Sequence, residues 1–320
     1  MKTRIFVDGS EGTTGLQINE RLARRPDLEV LAIAPEKRKD PGERKRLLNQ
    51  ADVVFLCLPD DAARESVAMI DNPRTRVIDP STAHRTAPGW AYGFPELSLK
   101  HREAIRSASR VSNPGCHATG FIALVAPLVA AGLLPRDYPL SCTSLTGYSG
   151  AGKKAIAQYE QAPTPANAGE LAILQGERLY ALGLSHKHLP EMVAHTGIAF
   201  EPVFMPVIGP FSQGMTVAVP LCSRLLGGKK ATDIHATLAA HYAAQPGFVR
   251  VMPLDGAAQT DGGFLNPQAL NGSNWLEIFV FGRDDQILLC ARLDNLGKGA
   301  SGAAVQNLNL MIGVDEDLGL

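Results

Sequence analysis

Residues 3–15, with the sequence TRIFVDGSEGTTG, join an apolar run directly to a glycine-rich turn. The apolar run predicts a β-strand, and the periodicity of residues 16–23 predicts the helix that follows the turn. Further apolar runs and helical patterns alternate along the chain, at residues 29–33, 43–49, 53–58, 62–70 and 76–78. This alternation is typical of a parallel, doubly wound sheet. The N-terminal third is therefore predicted to be a Rossmann-like α/β domain.

The glycine-rich turn lies where such a domain holds a dinucleotide. Backbone N–H groups at the start of a helix, together with nearby hydroxyl groups, can bind a pyrophosphate. The candidate residues are Gly9, Ser10, Gly12, Thr13, Thr14 and Gly15. The spacing is GxxGxxG rather than the common GxGxxG, so a structural turn that needs only positive φ is the alternative.

A basic run follows the second predicted strand. There the chain reads APEKRKD, and Lys37, Arg38 and Lys39 stand where an NAD-specific site usually offers a carboxylate to the ribose. Basic side chains suit a 2′-phosphate better, so we predict NADP as cofactor. A solvated basic loop is the alternative explanation of this run.

Composition limits the classes of protein that the chain can represent. A length of 320 residues favours two domains. With 31 basic and 32 acidic residues, the charge gives no reason to expect nucleic acid or a membrane as partner. The five cysteines are an odd number without paired spacing, which favours a reducing compartment, and a cytoplasmic location is expected. No spacing typical of a metal site is present, so no metal is expected.

Cys116 is the candidate nucleophile. It lies in SNPGCHATG, residues 112–120, after a Pro-Gly turn and before a long uncharged run that predicts a core helix. A thiol at the start of a helix faces free backbone N–H groups and the positive end of the helix dipole, which stabilise the thiolate. The other cysteines lie in short apolar runs typical of buried strands and are expected to be inert: Cys57, Cys142, Cys222 and Cys290.

Histidine is the natural partner for such a thiol, because its ordinary pKa is about 6.5. His186 and His188 are spaced i, i+2, so in an extended segment both point to the same side. The segment has few apolar residues, and a surface loop with two solvated histidines is the alternative. Glu191 could orient an imidazole or face solvent.

Three residues of the first domain are candidates for holding a phosphate group. Arg85 follows the strand that ends near Asp79, and the carboxyl ends of parallel strands open onto the ligand crevice. Arg85 suits a bidentate grip on phosphate, Asn113 precedes the Pro-Gly-Cys turn, and Ser81 adds a hydroxyl group. Structural use in turns is an equally good explanation for each.

The second half of the chain has a different periodicity. Residues 147–190 are rich in Gly, Ala and Pro and are predicted to be a loop that covers the active site. Strand patterns then occupy residues 203–207, 214–220, 250–252, 275–281 and 286–293, with a hairpin turn at 282–286 and a helix at 232–243. We predict a second, α+β domain with an antiparallel or mixed sheet.

Several motifs occur in the order seen in one known family: GSEGTTG at 9–15, IDPSTAHR at 78–85, YGFPEL at 92–97, SNPGCHATG at 112–120, TGYSGAGKK at 146–154, HKHLPEM at 186–192 and DNLGKGASGAAVQNLNLM at 294–311. The chain resembles the shorter, type 2 variant of the N-acetyl-gamma-glutamyl-phosphate reductases, relatives of aspartate-semialdehyde dehydrogenase, over nearly its whole length. It departs from the pattern at His117, where an aromatic residue is usual, and at the Leu184-Ser185 pair.

The resemblance implies an NADPH-dependent reduction of N-acetyl-γ-glutamyl phosphate to N-acetylglutamate γ-semialdehyde through a Cys116 thioester. It implies that His188 is the base, that His186 anchors the substrate, and that Asn295 and Lys298 face the cofactor. It also implies an NADP-binding domain at 1–115, completed by a C-terminal helix at 296–320, and a catalytic and oligomerisation domain at 116–295 of a homodimer or homotetramer.

Two alternatives remain at the level of the sequence. One is a reductase of another acyl phosphate, such as aspartyl phosphate or a carrier-linked glutamyl phosphate. The other is a nucleotide-binding regulator of the same fold without catalysis, since fold alone does not define function. The joint presence of a thiol at a helix start, a histidine pair and a phosphate-suited arginine favours the enzyme.

Overall fold

The computed structural model describes residues 2–9, 12–254, 257–283 and 285–320. The chain forms two compact units. The first, called the N-terminal unit, comprises Met1–Gly115 and Ala300–Leu320; the second, called the central unit, comprises Cys116–Gly299. The C-terminal break thus falls after Gly299, slightly beyond the Asn295 boundary that the sequence predicted.

The N-terminal unit contains a six-stranded sheet in which every pair of neighbouring strands is parallel. Its strands are β1 (Thr3–Asp8), β2 (Leu28–Leu31), β3 (Val53–Leu56), β4 (Arg76–Asp79), β5 (Ala91–Tyr92) and β6 (Arg110–Ser112). They are arranged in the order β2-β1-β3-β4-β6-β5. The reversal of strand order beside β1 is that of a doubly wound sheet.

Helices pack on both faces of this sheet; they are α1 (Thr13–Ala23), α2 (Pro41–Gln50), α3 (Asp60–Ala68) and α4 (Leu99–Ser107). Ile5 of β1 shares a buried cluster with Ile18 of α1, whereas its neighbour Phe6 shares another with Leu47 of α2. Successive side chains of a strand point to opposite faces, so both faces of the sheet are covered. The predicted Rossmann-like class is confirmed.

The central unit contains a seven-stranded mixed sheet, in the order β11-β12-β13-β10-β7-β9-β8. Its strands are β7 (Ser141–Gly147), β8 (Arg178–Leu179), β9 (Val203–Gly209), β10 (Met215–Cys222), β11 (Val249–Val251), β12 (Leu276–Arg283) and β13 (Gln286–Leu293). The β12 and β13 strands form the predicted hairpin, in which Arg283 pairs with Gln286; Asp284 in its turn lies outside the described residues. The predicted α+β second domain is confirmed.

The helices of the central unit are α5 (Cys116–Ala130), α6 (Lys153–Tyr159), α7 (Ala168–Leu174), α8 (Leu189–Thr196) and α9 (Ala231–Ala243). The α5 helix is the predicted core helix, and it packs on α8, α9 and the sheet. Among the described residues, no helix combines the length and the apolar character needed to cross a bilayer.

Residues 147–190 are not the continuous loop that the sequence predicted. They contain α6, α7 and the short strand β8. The two helices span only seven residues each, and β8 spans two, so no periodic pattern was long enough to identify them. Tyr148 and Tyr159 stack with ring centroids 4.4 Å apart, and this contact ties α6 to the end of β7.

The chain returns to the N-terminal unit in α10 (Gly302–Ile312), which packs on α4 and α1. This helix buries polar side chains that the sequence alone would place at the surface. Asn307, fully buried, donates hydrogen bonds to the carbonyl of Gly93 and to Oδ1 of Asn113, both at 3.0 Å. Such bonds offset the cost of burying an amide.

Candidate active site

Cys116 is the first residue of α5 and is partly exposed. Gly299 lies directly against it, because a Cβ at that position would be 2.8 Å from the Cβ of Cys116. The thiol therefore stands at the positive end of a helix dipole, the setting that favours a thiolate.

The other cysteines have a different environment. All five cysteines are described residues, none of them forms a disulfide, and Cys142 and Cys290 are buried. Burial raises the pKa of the Cys57 and Cys142 thiols and raises the pKa of Cys290 to about 12. Since the thiolate is the nucleophile, these three thiols are inert at neutral pH.

Three histidines of the central unit lie together: His117 of α5, and His186 and His188 just before α8. The ring centroids of His186 and His188 are 4.8 Å apart, and those of His117 and His188 are 5.4 Å apart. His188 is only 4 % exposed, although the sequence offered a solvated loop as the alternative. Phe204 of β9 supplies the apolar packing, 5.1 Å from the His186 ring.

His117 is held by hydrogen bonds at both ring nitrogens. Its Nδ1 lies 2.6 Å from Oγ of Ser144, and its Nε2 lies 2.8 Å from the hydroxyl of Tyr180. Burial, and to a smaller extent the neighbouring His186 and Lys187, lower the pKa of His117 to about 3. His117 is therefore a neutral imidazole at physiological pH.

Tyr180 is a residue of the site that sequence reasoning missed, because it lies in the segment predicted to be an irregular loop. Its hydroxyl contacts His117, and its pKa is raised by burial and secondarily by Cys116. The one signal in the sequence was His117 itself, which replaces the usual aromatic residue after the cysteine. A polar ring in a core helix requires polar partners, here Ser144 and Tyr180.

The histidine pair differs in its local bonding. The backbone N–H of His188 donates to Nδ1 of His186 at 3.2 Å. His186 is partly exposed, whereas His188 is the N-cap residue of α8 and is buried. Glu191 lies in the first turn of α8 and is 1 % exposed, so it is not the solvent-facing residue that the sequence left possible.

The structure places the three phosphate candidates within hydrogen-bond networks of the N-terminal unit. Arg85 donates to the carbonyl of Asn113 at 3.1 Å and to that of Pro80 at 2.9 Å. The Asn113 amide donates to the carbonyl of Ala300, and Ser81 donates to Asp79 at 2.8 Å. These contacts are the structural uses that the sequence left open, and phosphate binding by the three residues stays a prediction.

A buried Asp-His pair near the end of β4 was not anticipated. Nδ1 of His84 lies 2.5 Å from a carboxylate oxygen of Asp79, and Trp90 stacks on the His84 ring with centroids 4.1 Å apart. The pair makes the IDPSTAHR turn rigid, since Asp79 also accepts the bond from Ser81.

The glycine-rich turn has a feature expected of a dinucleotide site. Gly9 has φ of +83°, and a Cβ there would lie 2.3 Å from the carbonyl oxygen of Cys57, so only glycine fits. Gly12 is the N-cap of α1, and Thr13, Thr14 and Gly15 form its first turn. Ser10 lies outside the described residues.

The remaining cofactor candidates fall into two groups. Lys37 and Arg38 are exposed just after β2, and 2′-phosphate binding by them stays a prediction. Asn295 and Lys298 are buried in the central unit. The Asn295 amide accepts a bond from the Gly214 N–H at 2.8 Å and donates to Ser149 at 3.0 Å, which shows a structural use of this side chain.

Comparison with known proteins places this fold and site in one class. The family model for the semialdehyde dehydrogenase dimerisation domain matches residues 116–295. The model for the semialdehyde dehydrogenase NAD binding domain matches residues 40–108. The matches define a semialdehyde-dehydrogenase-like protein.

Curated relatives narrow the class. A protein of Nostoc sp., N-acetyl-gamma-glutamyl-phosphate reductase 2, is 49 % identical over 100 % of this chain and 99 % of its own length. A protein of Pseudomonas putida with the same name is 52 % identical over 97 % of this chain and 96 % of its own. The chain belongs to the N-acetyl-gamma-glutamyl-phosphate reductase family, and the resemblance of its motifs is confirmed.

A solved structure agrees with the fold. Aspartate semialdehyde dehydrogenase II from Vibrio cholerae, complexed with ASA, has a TM-score of 0.69 at 16 % identity and covers 98 % of this chain and 99 % of its own. At this identity the likeness concerns the fold.

Proposed function

We propose that this protein reduces N-acetyl-γ-glutamyl phosphate to N-acetylglutamate γ-semialdehyde with NADPH and releases phosphate, a step of arginine biosynthesis. The observation that carries the proposal is the position of Cys116 at the start of α5, directly before His117. His117 belongs to the histidine cluster of the central unit. Membership of the reductase family supports the choice of substrate.

Cys116 is the nucleophile. Its thiolate attacks the γ-carbonyl carbon of the acyl phosphate, a C–S bond forms, and the C–O bond to phosphate breaks. The product is a thioester on Cys116 and free phosphate. After reduction, the resulting thiohemiacetal loses its hydroxyl proton, its C–S bond breaks, and the aldehyde leaves while Cys116 recovers the thiolate.

His188 is the group that takes and returns the proton. His117 does not suit this role, because its pKa is lowered to about 3 and it binds no proton near neutral pH. In neutral His186, Nδ1 accepts the His188 N–H, so the proton is on Nε2. That tautomer makes His186 a donor that suits a substrate carboxylate, and it leaves His188 as the base.

The residues of the N-terminal unit fit NADPH. The cradle at Gly9, which a Cβ would fill, and the start of α1 suit a pyrophosphate, and Lys37 and Arg38 suit the 2′-phosphate. NADPH, when bound, supplies the hydride that reduces the thioester.

The deciding experiment is the reverse reaction. We expect phosphate-dependent reduction of NADP by N-acetylglutamate γ-semialdehyde, and little or none by aspartate semialdehyde. A preference for aspartate semialdehyde would show that aspartyl phosphate is the substrate. No turnover with either aldehyde, alongside tight NADPH binding, favours the carrier-linked substrate or a regulator.

The protein acts as a homodimer or homotetramer. Leu179 is 56 % exposed and Val203 is 49 % exposed. Leu179 pairs with Val207, and Val203 shares the face of Val207 on β9, so both exposed side chains lie on one face of the sheet. An exposed apolar sheet face is typical of a subunit interface. Analytical ultracentrifugation should give at least a dimer, and Val203→Asp should shift it toward the monomer.

The cytoplasm is the proposed location, because the five cysteines form no disulfide, as is usual in a reducing compartment. Recovery of the activity in the cytoplasmic fraction of a cell extract tests this location.

A further inference from the structure

The histidine cluster of the central unit has a second chemical property besides proton transfer. His117, His186 and His188 each offer one ring nitrogen, and these three nitrogens lie within 4.8 Å of one another. The residues come from two places in the chain, α5 and the segment before α8, so their positions in the sequence show no metal-binding spacing. The sequence predicted that the protein binds no metal. The histidine cluster is a reason to revise that prediction.

The separation is close to that of a zinc site. Zinc-bound imidazole nitrogens lie about 2.0–2.1 Å from the ion, so in a tetrahedral site they are about 3.4 Å from each other. The three nitrogens, at most 4.8 Å apart, must therefore move closer together to bind an ion. Three histidine ligands leave a fourth position open for water.

The surroundings of His117 suit a ligand. When Nδ1 carries the proton and donates it to Ser144 at 2.6 Å, Nε2 accepts a hydrogen bond from the Tyr180 hydroxyl at 2.8 Å, and an ion on Nε2 replaces that bond. A ligand histidine commonly donates its other N–H to a partner such as Ser144, which fixes the ring orientation.

His186 can join the site at low cost. Its Nδ1 accepts the His188 N–H at 3.2 Å, the long end of the hydrogen-bond range. A bond from this nitrogen to an ion replaces that contact. Phe204 packs against both rings, 5.4 Å from that of His117 and 5.1 Å from that of His186.

We propose that His117, His186 and His188 form a site for a divalent transition-metal ion, with Zn²⁺ as the preferred ion, and that the bound ion inhibits the enzyme. Imidazole nitrogens suit zinc, whereas magnesium and calcium prefer oxygen ligands. The inhibition rests on the proposed function, because an ion on His188 removes the base. Binding of the ion rests on the geometry alone.

Binding is tested by titrating the full-length, EDTA-treated and desalted protein with Zn²⁺ in a calorimeter, and with Co²⁺ by visible absorption. We expect one ion per chain and an intense Co²⁺ spectrum typical of a four-coordinate site. His117→Phe and His186→Asn should each weaken binding more than about tenfold, and His101→Asn, outside the cluster, should leave it unchanged.

Two results would overturn the site. One is the absence of saturable Zn²⁺ binding to the wild-type protein. The other is a Cys116→Ser variant that loses the ion while His117→Phe keeps it, since the site would then depend on the thiol. Circular dichroism checks that each variant folds, and His186→Asn, at a partly exposed position, keeps the test available if His117→Phe does not fold.

Inhibition is measured separately. Zn²⁺ should lower the wild-type rate, and addition of EDTA should restore it. The Zn²⁺ concentration for half inhibition should rise more than about tenfold in His117→Phe. Each rate is normalised to the metal-free rate of the same variant. Equal sensitivity of the two proteins contradicts inhibition through this cluster. If the protein binds Zn²⁺ but reduces no acyl phosphate, the metal site is supported and the proposed function is contradicted.

Discussion

Gly299 lies against Cys116 so closely that a methyl group on Gly299 would be 2.8 Å from the Cβ of Cys116. Both residues belong to the central unit, although the chain separates them by almost the whole of that unit. The position of the thiol thus depends on a contact with the segment that leads into α10.

Gly299→Ala should therefore reduce turnover and destabilise the protein by about 1–3 kcal/mol, because the added methyl group overpacks the start of α5. The measurements are kcat and the free energy of unfolding in urea. Gly169→Ala is the matched control: Gly169 lies in α7 with nothing within 4 Å of its Cβ position, so alanine there should be neutral or stabilising. Equal effects of the two variants would contradict the packing argument.

Cys116→Ser should lower kcat more than about a thousandfold and leave the dissociation constant for NADPH nearly unchanged, because a serine hydroxyl is not ionised at neutral pH. Rapid-quench assays and fluorescence titration of NADPH measure the two quantities. Cys142→Ala is the control: this cysteine is buried, so the substitution should cost about 1–3 kcal/mol of stability and keep catalysis. Substantial turnover by Cys116→Ser would remove the thioester mechanism.

Replacing Lys37 and Arg38 together by Gln should raise the KM for NADPH and hardly change that for NADH, since only NADPH carries the 2′-phosphate. Steady-state kinetics with both cofactors give the comparison. Lys100→Gln, an exposed lysine of α4, controls for the loss of a positive charge from the same unit. A parallel rise in both KM values would show that the basic run is a solvated loop.

His188→Asn should lower kcat by about 10²–10⁴-fold with little change in the KM for the acyl phosphate, as expected for loss of a general base. His186→Asn should mainly raise that KM, because it removes a hydrogen-bond donor to the substrate. The two opposite patterns distinguish the roles.

The pH profile gives an independent test, measured with EDTA present from about pH 5 to about pH 9. A base must be unprotonated, so the wild-type rate should fall toward acid as His188 takes up a proton. His117 does not contribute, because its pKa of about 3 keeps it neutral in this range. Loss or displacement of the acidic limb in His188→Asn alone supports the assignment, and an unchanged limb transfers the role to His186 or to a water held by Glu191.

The sequence by itself determined the fold class and the position of the thiol. The strands of the N-terminal unit and the start of α5 follow from local patterns, namely apolar runs, turn glycines and a Pro-Gly dipeptide before Cys116. Local patterns predict these features because strand and helix periodicity and turn chemistry act between residues that are close in the chain. The ordered motifs added the family.

The tertiary structure alone decided the composition of the site. His117 joins His186 and His188, Tyr180 reaches His117, and Gly299 meets Cys116, all across long stretches of chain. It also showed that Asn113 and Asn295 make structural hydrogen bonds. Hydrogen bonds and close packing between distant segments leave no periodic signal, because they depend on where the folded backbone brings each side chain.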